Sequence, residues 1–187
     1  MRSPSVTASD VIEARVRAGA GASGARADDV VGNGVAAPVL TPVFTVTVTL
    51  GSPVELGTTP AGRRRLIPIT GGTVSGPMLR GTVLPGGGDW QTIDADGTTE
   101  IHARYAMQAS DGTVVEIDNP GVRVAPPGII ARPTAGENLD SALYYFRTTP
   151  RFSLAVGTTH DWLRQHVFVA VGIRHPEAVE LAIYQVD

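Results

Sequence analysis

From Pro42 to the C-terminus, apolar and polar residues alternate with a period of two. In "VFTVTVTL" (43–50), Phe44, Val46, Val48 and Leu50 fall on one face and Thr45, Thr47 and Thr49 on the other, as in a half-buried β-strand. Similar runs predict strands near 54–58, 64–69, 73–83, 90–94, 98–109, 113–118, 121–125, 144–153, 166–174 and 179–186, separated by Gly, Pro and Asp-Gly signals. Asp96-Gly97 and Asp111-Gly112 are expected as two-residue hairpin turns. The one helical break is "THDWLRQ" (159–165). Many short, evenly spaced strands without a repeated helix predict an all-β, antiparallel barrel or sandwich. A barrel of this size either fills with side chains or holds one small ligand.

The first 41 residues do not share this pattern. No aromatic residue occurs before Phe44, and "AGAGASGARADD" (18–29) is of low complexity, too poor in apolar surface to fix itself. A short helix is expected over Asp10–Ala18, with Ser9 as its N-cap. The expected organisation is an irregular N-terminal arm over 1–41 and one β-barrel domain over 42–187. An arm of this kind can order against a second copy, so a homo-oligomer is left open.

Composition narrows the chemistry. The chain has no cysteine and no lysine; all fifteen basic residues are arginine. Thiolate nucleophiles, Cys-ligated metals, Schiff-base chemistry and a P-loop are therefore excluded. A net charge of −3 gives no reason to expect nucleic acid or an anionic membrane as partner. The absence of a long apolar run and of a signal-peptide core leads to the expectation of a soluble, cytoplasmic protein. Twenty-two glycines and fourteen prolines imply many turns.

Candidate chemistry gathers in three stretches. In "GGTVSGPMLRGTVLPGGGDWQTIDADG" (71–97), glycines lie within or beside a strand, marking a bulge, a barrel corner or a close approach. The loop Pro85–Gly88 then delivers Asp89 and Trp90, either as a pocket rim or as a turn cap and a barrel plug. Gly88-Asp89-Trp90 also fits the G-x-W of lipocalins. In "EIHARYAMQ" (100–108), Glu100, His102, Arg104 and Gln108 share one face; Ile101, Ala103, Tyr105 and Met107 share the other. If the polar face lines a cavity, His102 and Arg104 are a base and an oxyanion binder about 7 Å apart; if it faces water, Tyr105 is core. "YYFRTTPRF" (144–152) holds four of the ten aromatic residues. Tyr145 and Arg147 share a face that suits a planar carboxylate or phenolate, or simple packing over the arginine stem.

Other constellations are weaker. His160 and His166 lack the spacing of a compact metal site, so no metal is expected. Ser75 and Ser153 lack a nucleophile-elbow context, so a Ser-His-Asp hydrolase is not expected. "GRRR" (62–65) reads as a solvated turn rather than a phosphate patch.

The blocks "ELGTTPAGRRRLIPITGGTVSGPMLRGTVLPGGGDWQ" (55–91), "ARY" (103–105), "YYFRTTPRF", "WL" (162–163) and "FVAVGIR" (168–174) resemble the bacterial and fungal family of domain-of-unknown-function 3237, the UPF-0311 group, over residues 44–187. The resemblance implies a single-domain closed β-barrel of the lipocalin or calycin kind, and no established reaction. It marks Gly72, Gly76, Gly81, Gly87, Asp89, Trp90, Arg104, Tyr105, Arg147 and Trp162 as motif positions. The chain departs at Ser153, where members often carry an acid.

Together these features suggest a barrel that binds a small hydroxylated, carbonyl or aromatic metabolite. As an enzyme without a cofactor, it would use Asp89 as acid or base, Arg104 or Arg147 as anion stabiliser and Tyr105 or His102 as second proton carrier. Trp90, Gly72, Gly87, Tyr145, Arg147 and Trp162 would line the ligand. Isomerisation, dehydration, lyase chemistry and ring closure all fit such a set. The alternative is a non-catalytic carrier or sensor, whose interior acids and bases would all have structural partners.

Overall fold

A computed structural model describes residues 30–31, 35–125 and 141–187. The helix expected over Asp10–Ala18 lies outside them. Thirteen strands are present: β1 (Val30–Val31), β2 (Val35–Ala36), β3 (Leu40–Leu50), β4 (Val54–Thr59), β5 (Gly62–Ser75), β6 (Gly81–Val83), β7 (Gly87–Ile93), β8 (Thr99–Ala109), β9 (Val114–Val124), β10 (Tyr145–Thr148), β11 (Arg151–Leu154), β12 (Val167–Arg174) and β13 (Ala178–Val186). Every pairing among these described strands is antiparallel. β1 and β2 form a small separate ribbon.

The other strands close into a barrel of eight lanes. β9 pairs with a lane shared by β10 and β11; β12, β13, β3 and β5 follow, then a lane shared by β6 and β7, then β8, which returns to β9. β4 adds a hairpin on the first half of β5. Closure leaves no long open edge among these lanes, which a sheet otherwise has to protect. No helix among the described residues is long and apolar enough to cross a membrane.

Several expected boundaries move, for physical reasons. The strands expected at 113–118 and 121–125 are one strand, β9. Pro120 has no N–H to give, and it sits where the partner of β9 changes from β11 to β10. The strand expected at 144–153 is instead split into β10 and β11, on either side of Thr149-Pro150. The strands expected at 64–69 and 73–83 become one long β5 and a short β6. β5 turns a barrel corner at Gly71 and Gly72, where φ is +148° and +144° and the register with β3 slips. Both Asp-Gly turns are present, with φ +90° at Gly97 and +91° at Gly112. They close three-residue loops rather than two, because Asp94 pairs with Thr98 and Ala109 with Thr113. The helical break is one 3-10 turn, Asp161–Arg164. A second, Ser141–Leu143, precedes β10.

The barrel has two unlike ends. At one, Phe44, Phe152, Phe168 and Trp162 meet edge to face, with centroids 5.0–6.3 Å apart. The 3-10 turn drives Trp162 and the fully buried Leu163 against this cluster. Apolar residues continue inward along β8 and β9 as Tyr105, Met107, Val115 and Ile117. At the other end the inward positions turn polar.

Candidate functional site

Alternation carries the polar end. On β7, Asp89, Gln91 and Ile93 are buried while Trp90 is exposed. On β9 the inward positions after Val115 and Ile117 are Asn119, Gly121 and Arg123. β5 contributes Arg65 in line with inward Ile67 and Ile69, and β12 ends on Arg174. Register brings them together: Arg65 lies opposite Gln91 and Ile67 opposite Asp89, Asp89 opposite Ala103, Ala103 opposite Asn119 and Thr99 opposite Arg123.

A hydrogen-bond chain links part of this set. Arg65 Nε donates to Gln91 Oε1 at 2.8 Å, and Gln91 Nε2 donates to Asp89 Oδ2 at 2.5 Å. Arg174 gives its guanidinium to the Ala178 and Pro176 carbonyls and its backbone N–H to the Tyr144 hydroxyl. Other atoms are left over. Asp89 Oδ1, Asn119 Oδ1, Thr148 Oγ1 and both Nε and Nη2 of Arg123 are buried with no hydrogen-bond partner among the described residues. Such groups are rare inside proteins because each costs about 1–3 kcal/mol.

The electrostatics follow from burial. Burial pushes the Asp89 carboxyl above the ordinary aspartate range; the Gln91 amide, then the Arg123 and Arg65 cations, and last a weak pull from the His102 backbone N–H oppose that rise. Burial, and then repulsion from Arg65 and Arg174, pushes Arg123 down to about 10, still charged at neutral pH. Burial also lowers Arg65 and Arg174. The Tyr105 hydroxyl rises, chiefly through burial and then through Asp89, so it stays protonated.

Of the residues singled out from sequence, only Asp89 and, deeper in, Tyr105 lie on this inner face. The polar face of β8 points outward. His102 Nε2 sits 2.7 Å from Asp118, and Arg104 Nε donates to Glu116 at 2.6 Å. Arg147 lies over the Tyr145 ring at 5.1 Å and donates to the Phe146 carbonyl; both side chains are outside. A single constellation of Asp89 with His102, Arg104 or Arg147 is therefore not assembled: the sheet separates them. Trp90, with 46% of its surface exposed, is also outside and is not a plug. Trp162 instead sits at the apolar end. Gly72 and Gly87 are contacts between strands: a Cβ on Gly72 would run into the Thr47 carbonyl, and one on Gly87 into Tyr105 Cβ. Ser153 is outward too, beside Glu116, so the departure there does not touch the interior.

The outward residues are not scattered. Trp90, His102, Tyr145 and Arg147 share a half-open groove of about 1230 Å³ on the outer face with Val171 and Tyr184. No cluster of three or more His, Asp or Glu side chains able to hold a metal occurs among the described residues.

Arg65, Gln91, Asn119, Arg123 and Arg174 were not reached from sequence. The usable signal was parity: counting by two from Val115 and Ile117 leads to Asn119 and Arg123, and from Ile69 and Ile67 to Arg65.

Known proteins resemble this chain over most of its length. The family described as "Protein of unknown function (DUF3237)" matches residues 38–186. A UPF0311 protein of Bradyrhizobium diazoefficiens is 42% identical over 147 residues, 77% of this chain and 93% of that protein. One from Clostridium acetobutylicum is 41% identical over 78% of this chain and 92% of the relative. A solved structure of a Rhodopseudomonas palustris protein of unknown function superposes with TM-score 0.77 at 37% identity, covering 82% of this chain and all of that one. A β-barrel-like protein of Acinetobacter baumannii gives 0.70 at 34% identity, covering 80% and 96%. A more distant likeness, 37% identical over 75 residues, covers 40% of this chain and half of a Penicillium herquei hydroalkoxylation enzyme.

Proposed function

The chain belongs to the DUF3237 family, and on that footing we propose that it is a cofactor-independent acid/base enzyme acting on a small hydroxylated, carbonyl or aromatic metabolite at the polar end of the barrel. The observation that carries this reading is the buried Asp89 carboxyl, with one oxygen unpartnered among the described residues. A carrier needs no such group: its interior polar atoms would be satisfied, since an unpartnered buried carboxyl oxygen only costs stability. An acid with a raised pKa, close to fixed cations, is the arrangement that proton transfer at neutral pH uses.

The chemistry closes without an oxidant or reductant. Ionised Asp89 removes a proton from an O–H, or from a C–H beside a carbonyl, and becomes the carboxylic acid. The electron pair left behind rests on an oxygen facing Arg123. Protonated Asp89 then returns the proton to another atom of the same molecule. Delivered to carbon, it completes an isomerisation, or the addition of a hydroxyl across a double bond with ring closure. The latter is the class of reaction named for the Penicillium relative, and supports the reading by analogy of partial sequence only.

The experiment is solvent exchange in deuterium oxide, followed by NMR on a panel of small ketones and phenols with exchangeable carbon-bound protons. The enzyme reading predicts protein-dependent deuterium incorporation into at least one compound that binds. Binding across the panel with no exchange would establish the carrier instead.

A further inference from the structure

We propose that the polar end takes a ligand bearing an acidic oxygen, a carboxylate or a phenolate, on the side-on edge of Arg123 formed by Nε–H and Nη2–H. This rests on the reading of that end as the ligand site and names the substrate class it selects.

Three guanidiniums, those of Arg65, Arg123 and Arg174, influence one another here. Among the described residues, Asp89 is the one carboxyl that acts on all three, with Glu55 acting on Arg65 alone. Arg65 hydrogen-bonds Gln91 and Arg174 hydrogen-bonds backbone carbonyls; these partners are neutral and cancel no charge. Arg123 is only 7% exposed, yet its Nε and Nη2 have no partner among the described residues. Those two donors share one edge of the planar group, the edge that receives a carboxylate through two parallel hydrogen bonds, or a phenolate oxygen between them. Even ionised, Asp89 offsets one of the three cations, and burial works against its charged form, so a positive excess remains. A neutral alcohol would fill the donors but leave the charge; an anionic oxygen answers both. On the same inner face, Thr148 Oγ1 can donate to an anionic oxygen, while Asn119 Oδ1 can accept only from a hydroxyl; both are likewise unpartnered among the described residues.

The test uses the full chain and three probes: benzoate, 4-nitrophenol and benzyl alcohol. Wild-type protein is expected to bind at least one of the two acids at least about tenfold more tightly than benzyl alcohol, the scale of one charge-assisted hydrogen bond. Bound 4-nitrophenol should shift toward its yellow phenolate at fixed pH. Benzoate alone would assign a carboxylate, the colour shift alone a phenolate, and both the shared acidic oxygen. Arg123→Gln should weaken the acids by roughly 10–100-fold and abolish the colour shift while weakening benzyl alcohol much less. Should that variant fail to fold, Arg123→Lys keeps the charge without the paired edge and should lose most of the benzoate preference. No preference for the acids in wild type, full acid binding in the Arg123 variants, or loss in Arg147→Gln on the outer face would each overturn the proposal. Asp89→Asn separates it from the acid/base reading: acid affinity should hold or rise there. Anion binding through Arg123 without any proton exchange would leave this site standing and remove only the enzymatic role.

Discussion

Asp89→Asn is expected to lower proton exchange or turnover by about 10²–10⁴-fold, the usual contribution of a positioned general acid or base. Ligand affinity should stay the same or rise. Asn is nearly isosteric and its amide oxygen can still accept from Gln91 Nε2, which donates to Asp89 at 2.5 Å, so the surrounding chain should not move. Kinetics and binding, measured on the same preparations, check this; equal losses in both would point to a structural role. Stability should respond to pH in a set direction. Burial raises the folded-state pKa of Asp89 above its unfolded value. The stability associated with the protonated carboxyl is thus fully present below the unfolded pKa and is lost as pH rises through the folded one. Denaturant unfolding across this range should find Asp89→Asn gaining on wild type as pH rises.

At the opposite end, Phe44→Ala should destabilise the barrel by about 3–5 kcal/mol, the range for deleting a buried aromatic ring. Phe44 is 0% exposed and lies edge to face with Phe152 and Trp162 at 5.9 and 6.3 Å. Its backbone is held against Gly76, where a Cβ would meet Phe44 Cα, so the strand cannot readily settle into the space left. Urea unfolding with an unchanged m-value would report the loss directly. A loss below about 0.5 kcal/mol, within the range of surface substitutions, would mean the aromatic cluster does not hold this end shut.

The barrel was legible because alternation is a local signal that closure preserves. "VFTVTVTL" predicts the buried face of β3, and "EIHARYAMQ" predicts the two faces of β8. Strand pairing was not legible, and the site depends on it. His102 and Arg104 are close to Asp89 in the sheet, with Arg104 one residue along β8 from Asp89's partner Ala103, yet they point to the other side. Sequence separation does not tell which face of a strand turns inward when both hold plausible chemistry. Buried Arg123 and half-buried Arg65 and Arg174 looked like surface residues because arginine usually is one. Arg123 in particular was hidden by dividing β9 at Pro120, which interrupts the count that begins at Val115. Trp90 and Trp162, both expected beside a ligand, lie away from the polar end: "GDW" follows the strand outward, and the short turn at Asp161–Arg164 folds the second indole against the apolar core.

The most direct measurement is the titration of the Asp89 carboxyl carbon by NMR in aspartate-labelled protein, its signal identified by its loss in Asp89→Asn. A proton-transfer role predicts a midpoint clearly above the ordinary aspartate value of about 3.9, moving higher still in Arg123→Gln because that cation opposes the rise. A midpoint in or below the ordinary range, indifferent to Arg123, would make Asp89 a paired structural anion and contradict a proton-transfer site at this end of the barrel.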